Sequence, residues 1–178
     1  MTFVSDAAAA MLSCYDAALQ EGPNPPPDDN ICFRVGEVPF SAGTAEDLCC
    51  EGLAWVRVLR IYPSVNFPNQ DTRPNDCQDS SYAIELELGA VRCLPFGTNA
   101  AGPSCDQWTA VFIQVDEDAA SMRRAVCCMR DLISAGDQVF VEQVVMGEWT
   151  PIDGQGGCIG GSMPVTLHVS CNECVETP

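Results

Sequence analysis

The segment Tyr82-Ala-Ile-Glu-Leu-Glu-Leu-Gly-Ala-Val-Arg-Cys93 sets Tyr82, Ile84, Leu86 and Leu88 against Glu85 and Glu87 in alternation. A period of two puts the apolar set on one face and the carboxylates on the other, which is the pattern of a half-buried strand. At Gly89 the apolar phase passes to Val91 and Cys93, and a β-bulge at the glycine is the expected cause. A strand with one dry face needs a second layer over it, and the chain downstream supplies one. Ser104 with Gln107 makes a capping box, after which Trp108, Phe112, Val115, Ala119, Met122, Val126, Met129 and Ile133 recur at spacings of three and four. One long helix from Trp108 to Ile133 carries that stripe and Gly136 supplies its C-cap. Its first half, Thr109 to Val115, is rich in β-branched residues and fits a strand as well.

Upstream, Ser5 reads as an N-cap, Asp6 favours a helix N-terminus, and Ala8, Leu12, Tyr15 and Leu19 form a helical stripe ending before Gly22. Prolines at 23, 25, 26 and 27 make residues 22–30 a stiff linker. Ile31, Phe33 and Val35 suggest a short strand stopped by Pro39. Leu53 to Tyr62, apolar on both faces except at Arg57 and Arg60, reads as a central strand. Residues 63–81, with prolines at 63, 68 and 74, form a long loop and a candidate contact arm. Val139 to Met146 and Met163 to Val169 read as a closing antiparallel pair, joined by a loop containing Gly154, Gly156, Gly157, Gly160 and Gly161. Helix, strands, helix, strands without regular alternation predicts an α+β fold, an antiparallel or mixed sheet packed by an N-terminal and a long central helix. Residues 1–178 then form a single domain.

Acidic residues number 25 against 8 basic ones, all arginine, for a formal charge of −17. The arginines are scattered at Arg34, Arg57, Arg60, Arg73, Arg92, Arg123, Arg124 and Arg130, so no basic patch marks a nucleic-acid or membrane surface. The N-terminus has no basic n-region, and no apolar run is long enough to span a bilayer, so a soluble, cytoplasmically made protein is expected. The 12 cysteines are many for a reducing compartment. Assembly in the cytoplasm followed by maturation outside it, as for a virion part, reconciles the two.

Chemistry-bearing motifs are sparse. His168, the only histidine, shares a strand face with Thr166 and Ser170 and reads as a solvent-side residue without a nucleophile partner. No carboxylate pair stands out as acid and base, and the glycine-rich turn lacks the lysine and helix N-terminus of a phosphate loop. These readings give no catalytic, cofactor-binding or metal-binding residues, and no enzyme. Cys171 and Cys174, with Cys49 and Cys50, could supply four thiolates to a structural zinc, an alternative kept beside disulfides between those pairs. Cys127 and Cys128, adjacent in mid-helix, read as small core or interface hydrophobes.

Cys50-Glu-Gly-Leu-Ala-Trp-Val-Arg57, then Tyr62-Pro63-Ser64 and Asn66-Phe67-Pro68, then Glu85-Leu-Glu-Leu-Gly-Ala-Val-Arg92-Cys93 resemble head-to-tail connector proteins of tailed actinobacteriophages. Gly156-Gly157-Cys158-Ile159-Gly160 and the C-terminal cysteine pair extend the likeness, whose motifs are structural rather than chemical. The member most resembled is the tail terminator, with the stopper and adaptor of the same junction as near neighbours. The resemblance implies a virion structural protein at the head-tail junction, self-assembled into a homo-oligomeric ring, usually hexameric. Its expected partners are itself, the major tail tube protein and the head-side connector or stopper. DNA would pass through the lumen without specific binding, with Asp71, Asp76 and Asp79 as a candidate group of repelling acids. A zinc-dependent binding module or enzyme is the alternative from a different class.

Overall fold

The alternation over 82–88 produces the strand it predicts. In the computed structural model, which describes residues 3–36, 50–72, 81–95, 102–137, 140–155 and 157–170, β3 (Ser81–Cys93) buries Ile84, Leu86 and Leu88 completely. It lies between β2 (Leu53–Pro63) and β6 (Cys158–Ser170), antiparallel to both. The six-stranded sheet runs β1-β2-β3-β6-β4, where β1 is Ile31–Phe33 and β4 is Val141–Met146. β5 (Thr150–Gln155) shares the outer edge of β6 with β4, opposite Cys158–Ser162, while β4 lies opposite Val165–Val169. β1 pairs parallel to β2, which makes the sheet mixed.

Both helices cover one face. α1 (Phe3–Gln20) and α2 (Cys105–Ala135) close a single core with Ala54, Val56, Ile84, Leu86, Leu88, Ala90, Met163, Val165 and Leu167. The class is therefore α+β, as the element order predicted. α1 begins two residues before Ser5, so Ser5 lies inside the helix and is not its N-cap. Ala8, Tyr15 and Leu19 of the expected stripe are buried, and Leu12 is half-buried. The proline-rich stretch holds only a 3-10 turn, Asp28–Asn30.

α2 is helical from its first turn, despite the β-branched run. The capping box is complete, with Ser104 N donating to Gln107 Oε1 (2.9 Å) and Gln107 N donating to Ser104 Oγ (3.3 Å). Gly136 ends the helix at φ 79°. Its stripe divides in two. Ala119, Met122, Val126 and Met129 are buried, whereas Trp108 and Phe112 are 42% and 68% exposed.

Three expectations are corrected. Gly89 is not a bulge: the ladder runs through it, opposite Trp55 and Ser162. A Cβ there would collide with the Trp55 indole, so the missing side chain is the seat of that ring. Val91 continues the alternation on the second face, where Leu53, Trp55 and Cys158 cover it in a smaller cluster. The register shifts lie instead in β2, between Val58 and Arg60, in β4, between Val141 and Gln143, and in β5, between Ile152 and Gln155. Second, β2 is not central, because β1 flanks it only at Ala54–Val56 and Val58, Leu59 and Ile61 are exposed. Third, the glycine-rich loop is largely sheet. Gly154 lies in β5 and Gly160 and Gly161 in β6, where a Cβ would strike the Ala90 carbonyl and the Trp149 indole respectively. Close approach, not flexibility, explains these two glycines.

Candidate functional site

His168 sits on the helix-free face of the sheet, as its position predicted, but it is not at the solvent. Its side chain is 12% exposed. The Phe67 ring stacks on it at 4.9 Å between centroids, Nε2 meets Ser81 Oγ, and Nδ1 lies 3.3 Å from Glu142 Oε2. A hydroxyl, an imidazole and a carboxylate thus stand in the order of a hydrolytic triad, which the sequence did not reveal because the three come from β3, β6 and the β4 bulge. The hydrogen bonds run the other way, however. Ser81 Oγ donates to the Ser64 carbonyl (2.9 Å), which directs the hydroxyl proton away from Nε2 in this arrangement. A general base needs an unprotonated Nε2 facing that proton. The cluster instead fastens the start of the long loop, together with Ser64 Oγ donating to Asn69 O and Tyr62 OH donating to Pro68 O, each at 2.9 Å. Asp71 belongs to this fold-back, its backbone N–H donating to Pro63 O, whereas Asp76 and Asp79 lie outside the described residues.

A second polar centre is buried between sheet and helices. Arg92 of β3 holds Asp118 of α2 with two hydrogen bonds, Nε to Oδ2 at 2.8 Å and a terminal nitrogen to Oδ1 at 2.5 Å. Tyr15 of α1 donates to the Gly89 carbonyl at 3.2 Å. Burial raises the Asp118 carboxyl above its ordinary range against the pull of Arg92. Burial first, and then Asp118, hold the Tyr15 phenol well above its own. With Arg92 and Asp118 holding each other and Tyr15 holding the Gly89 carbonyl, the arrangement joins the two layers. On the open face, Glu87 takes Arg57 (2.7 Å) and the Trp55 indole N–H (2.9 Å), and Glu85 takes Arg60 (2.5 Å).

The cysteines pair differently from expectation. Cys128 is not a simple hydrophobe: it is bonded to Cys14 and crosslinks the two helices, with Cα atoms 5.7 Å apart. Cys50 is bonded to Cys93, which removes it from a zinc site and from pairing with Cys171 or Cys174. Cys158 is disulfide-bonded as well. Cys49, Cys171 and Cys174 lie outside the described residues. Among the described residues no cluster of three or more His, Cys, Asp or Glu side chains is placed to hold a metal ion.

Among the described residues, what remains uncovered is apolar surface. Between the first half of α2 and the β5–β6 hairpin runs a groove of about 390 Å³, lined chiefly by Trp108, Val111, Phe112, Val115, Trp149 and Ile152. Both edges of the sheet also show large apolar side chains, Val58, Leu59 and Ile61 on β2 and Val145 and Met146 on β4. Sequence periodicity assigned Trp108 and Phe112 to the core; the signal against this is that the stripe outruns the sheet it packs on. Compared with known proteins, the chain matches no family model and no curated protein sequence.

Proposed function

We propose that this chain is a virion structural protein of a head-tail junction, a tail terminator whose copies form a closed ring that caps the tail tube and meets the head-side connector. The observation that carries the reading is the pair of open sheet edges. Beyond Val56, β2 has no strand on its outer side among the described residues, and β4 has none on its own. Among the described residues each edge lacks a strand partner there and carries large exposed apolar side chains, which is how a sheet invites another chain. Joining β2 of one copy to β4 of the next is a heterologous contact, and repetition of such a contact closes into a ring when the rotation allows.

The acidic surface supports the same reading. A lumen walled by carboxylates repels a phosphate chain, leaving DNA hydrated and mobile, whereas basic groups would release its counterions and bind it. The stopper or adaptor of the same junction is the second reading, because the resembling motifs are shared across the junction. Imaging of labelled protein on isolated tails separates these outcomes. Rings seated at the head-proximal end of the tube support a terminator; label only on the head side supports a stopper or adaptor; label at neither place contradicts a junction role.

A further inference from the structure

We infer that the groove between the first half of α2 and the β5–β6 hairpin receives an apolar segment flanked by basic residues from a different protein. The inference deepens the proposed function and rests on it in one respect only, that the protein works by assembly. The lining is mainly apolar, with Trp108 and Phe112 on the helix and Trp149 and Ile152 on the hairpin side. α2 is 31 residues long, and its buried residues run only from Asp118 to Met129. The first half is capped and hydrogen-bonded but lacks the packing that ordinarily supports a helix, and an occupant of the groove would supply it.

Charge selects the occupant. From Cys105 to Met122 the helix carries Asp106, Asp116, Glu117 and Asp118 and no basic residue. Asp118 is neutralised by Arg92. The opposite side contributes Glu148 and Asp153, again without a basic residue. Asp106, Asp116, Glu148 and Asp153 are all exposed, so the rim has one sign. A second copy has no lysine and only 8 arginines against 25 acids to offer this rim, whereas a segment with lysine or arginine on either side of its apolar residues complements it. The edges of the sheet therefore serve contacts between copies, and the groove serves a partner of opposite charge.

The groove holds two of the three tryptophans, so indole fluorescence reads its occupancy. The probe is a synthetic amphipathic peptide of about 18 residues with leucines at helical spacing and lysines flanking them, beside the same peptide with glutamates for lysines. The lysine peptide is expected to bind saturably, and the glutamate peptide at least about tenfold more weakly. Trp108→Ser with Phe112→Ser, which removes exposed apolar surface without changing charge, is expected to weaken the lysine peptide by about tenfold or more while the melting curve stays unchanged. Equal binding by that variant would overturn the inference, because the peptide would then be sensing the acidic surface at large. Equal binding of the two peptides, or of neither, would also overturn it. A lower native mass of the double variant without peptide would show that a second copy occupies the groove instead. Failure of the protein to form rings, with peptide binding intact, would fall on the proposed junction role alone.

Discussion

Arg92 and Asp118 form a buried ion pair between the sheet and α2. Each is nearly buried and satisfies the other, so replacing one leaves an unpaired charge between the sheet and the helices. Arg92→Leu or Asp118→Ala alone is expected to cost about 3–5 kcal/mol, and the pair replaced together by apolar residues much less than the sum. Chemical unfolding of the two single variants and the double variant measures the coupling, and additive losses would contradict a mutual role. Tyr15 makes a separate prediction about pH. Its folded pKa lies above the unfolded value, so the folded state keeps the proton longer. Its contribution is fully present below the unfolded value of about 10 and is lost as pH rises through the higher folded one. Urea midpoints should fall through that alkaline range in the wild type and fall less steeply in Tyr15→Phe. Parallel curves would show that the phenol does not govern the alkaline limb.

At the scale of elements, the two halves of α2 should answer differently to the same change. Met122 is fully buried and Phe112 is 68% exposed. Met122→Asp is expected to cost several kcal/mol, on the order of 3–5, and Phe112→Asp under about 0.5 kcal/mol, as thermal unfolding would report. Comparable losses would mean that the first half of the helix is packed after all. The helix itself was legible in the sequence because capping box, stripe and C-cap glycine all act locally. The alternation of β3 was legible for the same reason. What was not legible depended on neighbours. Gly89 reads as a bulge until Trp55 is seen lying across it, Gly160 and Gly161 read as a loop until Ala90 and Trp149 are seen against them, and β5 is hidden among those glycines. His168 found Ser81 and Glu142 across two strand pairings that local pattern does not encode. Cys14 and Cys128 likewise meet only once α1 and α2 are laid side by side. Their bond closes a sequence separation of 114 residues, which in the chain-entropy account constrains the unfolded state by about 5 kcal/mol. Reduction should therefore lower the melting temperature, and Cys14→Ser with Cys128→Ser should remove much of that response; an unchanged response would place it in the other disulfides.

For the whole molecule, a strongly acidic α+β unit with two open sheet edges has to manage conflicting forces. Repulsion between acidic copies favours a free chain, while exposed apolar edge residues favour association. In the proposed ring, joining copies edge to edge would hide Val58, Leu59 and Ile61 of one against Val145 and Met146 of the next and leave the groove beside α2 open. Disulfides suit such a molecule if they form after assembly, when the surroundings turn from reducing to oxidising. The most direct test of edge-to-edge assembly is the native mass by sedimentation, over a range of protein and salt concentrations, for the wild type beside Ile61→Asp and Val145→Asp. Both substituted residues are exposed, so neither change should unfold the chain. The wild type should form one closed species of about six copies, strengthened by salt as repulsion is screened, and each variant should sediment as a monomer. A wild type that stays monomeric throughout, or variants that keep its oligomeric mass, would contradict the account.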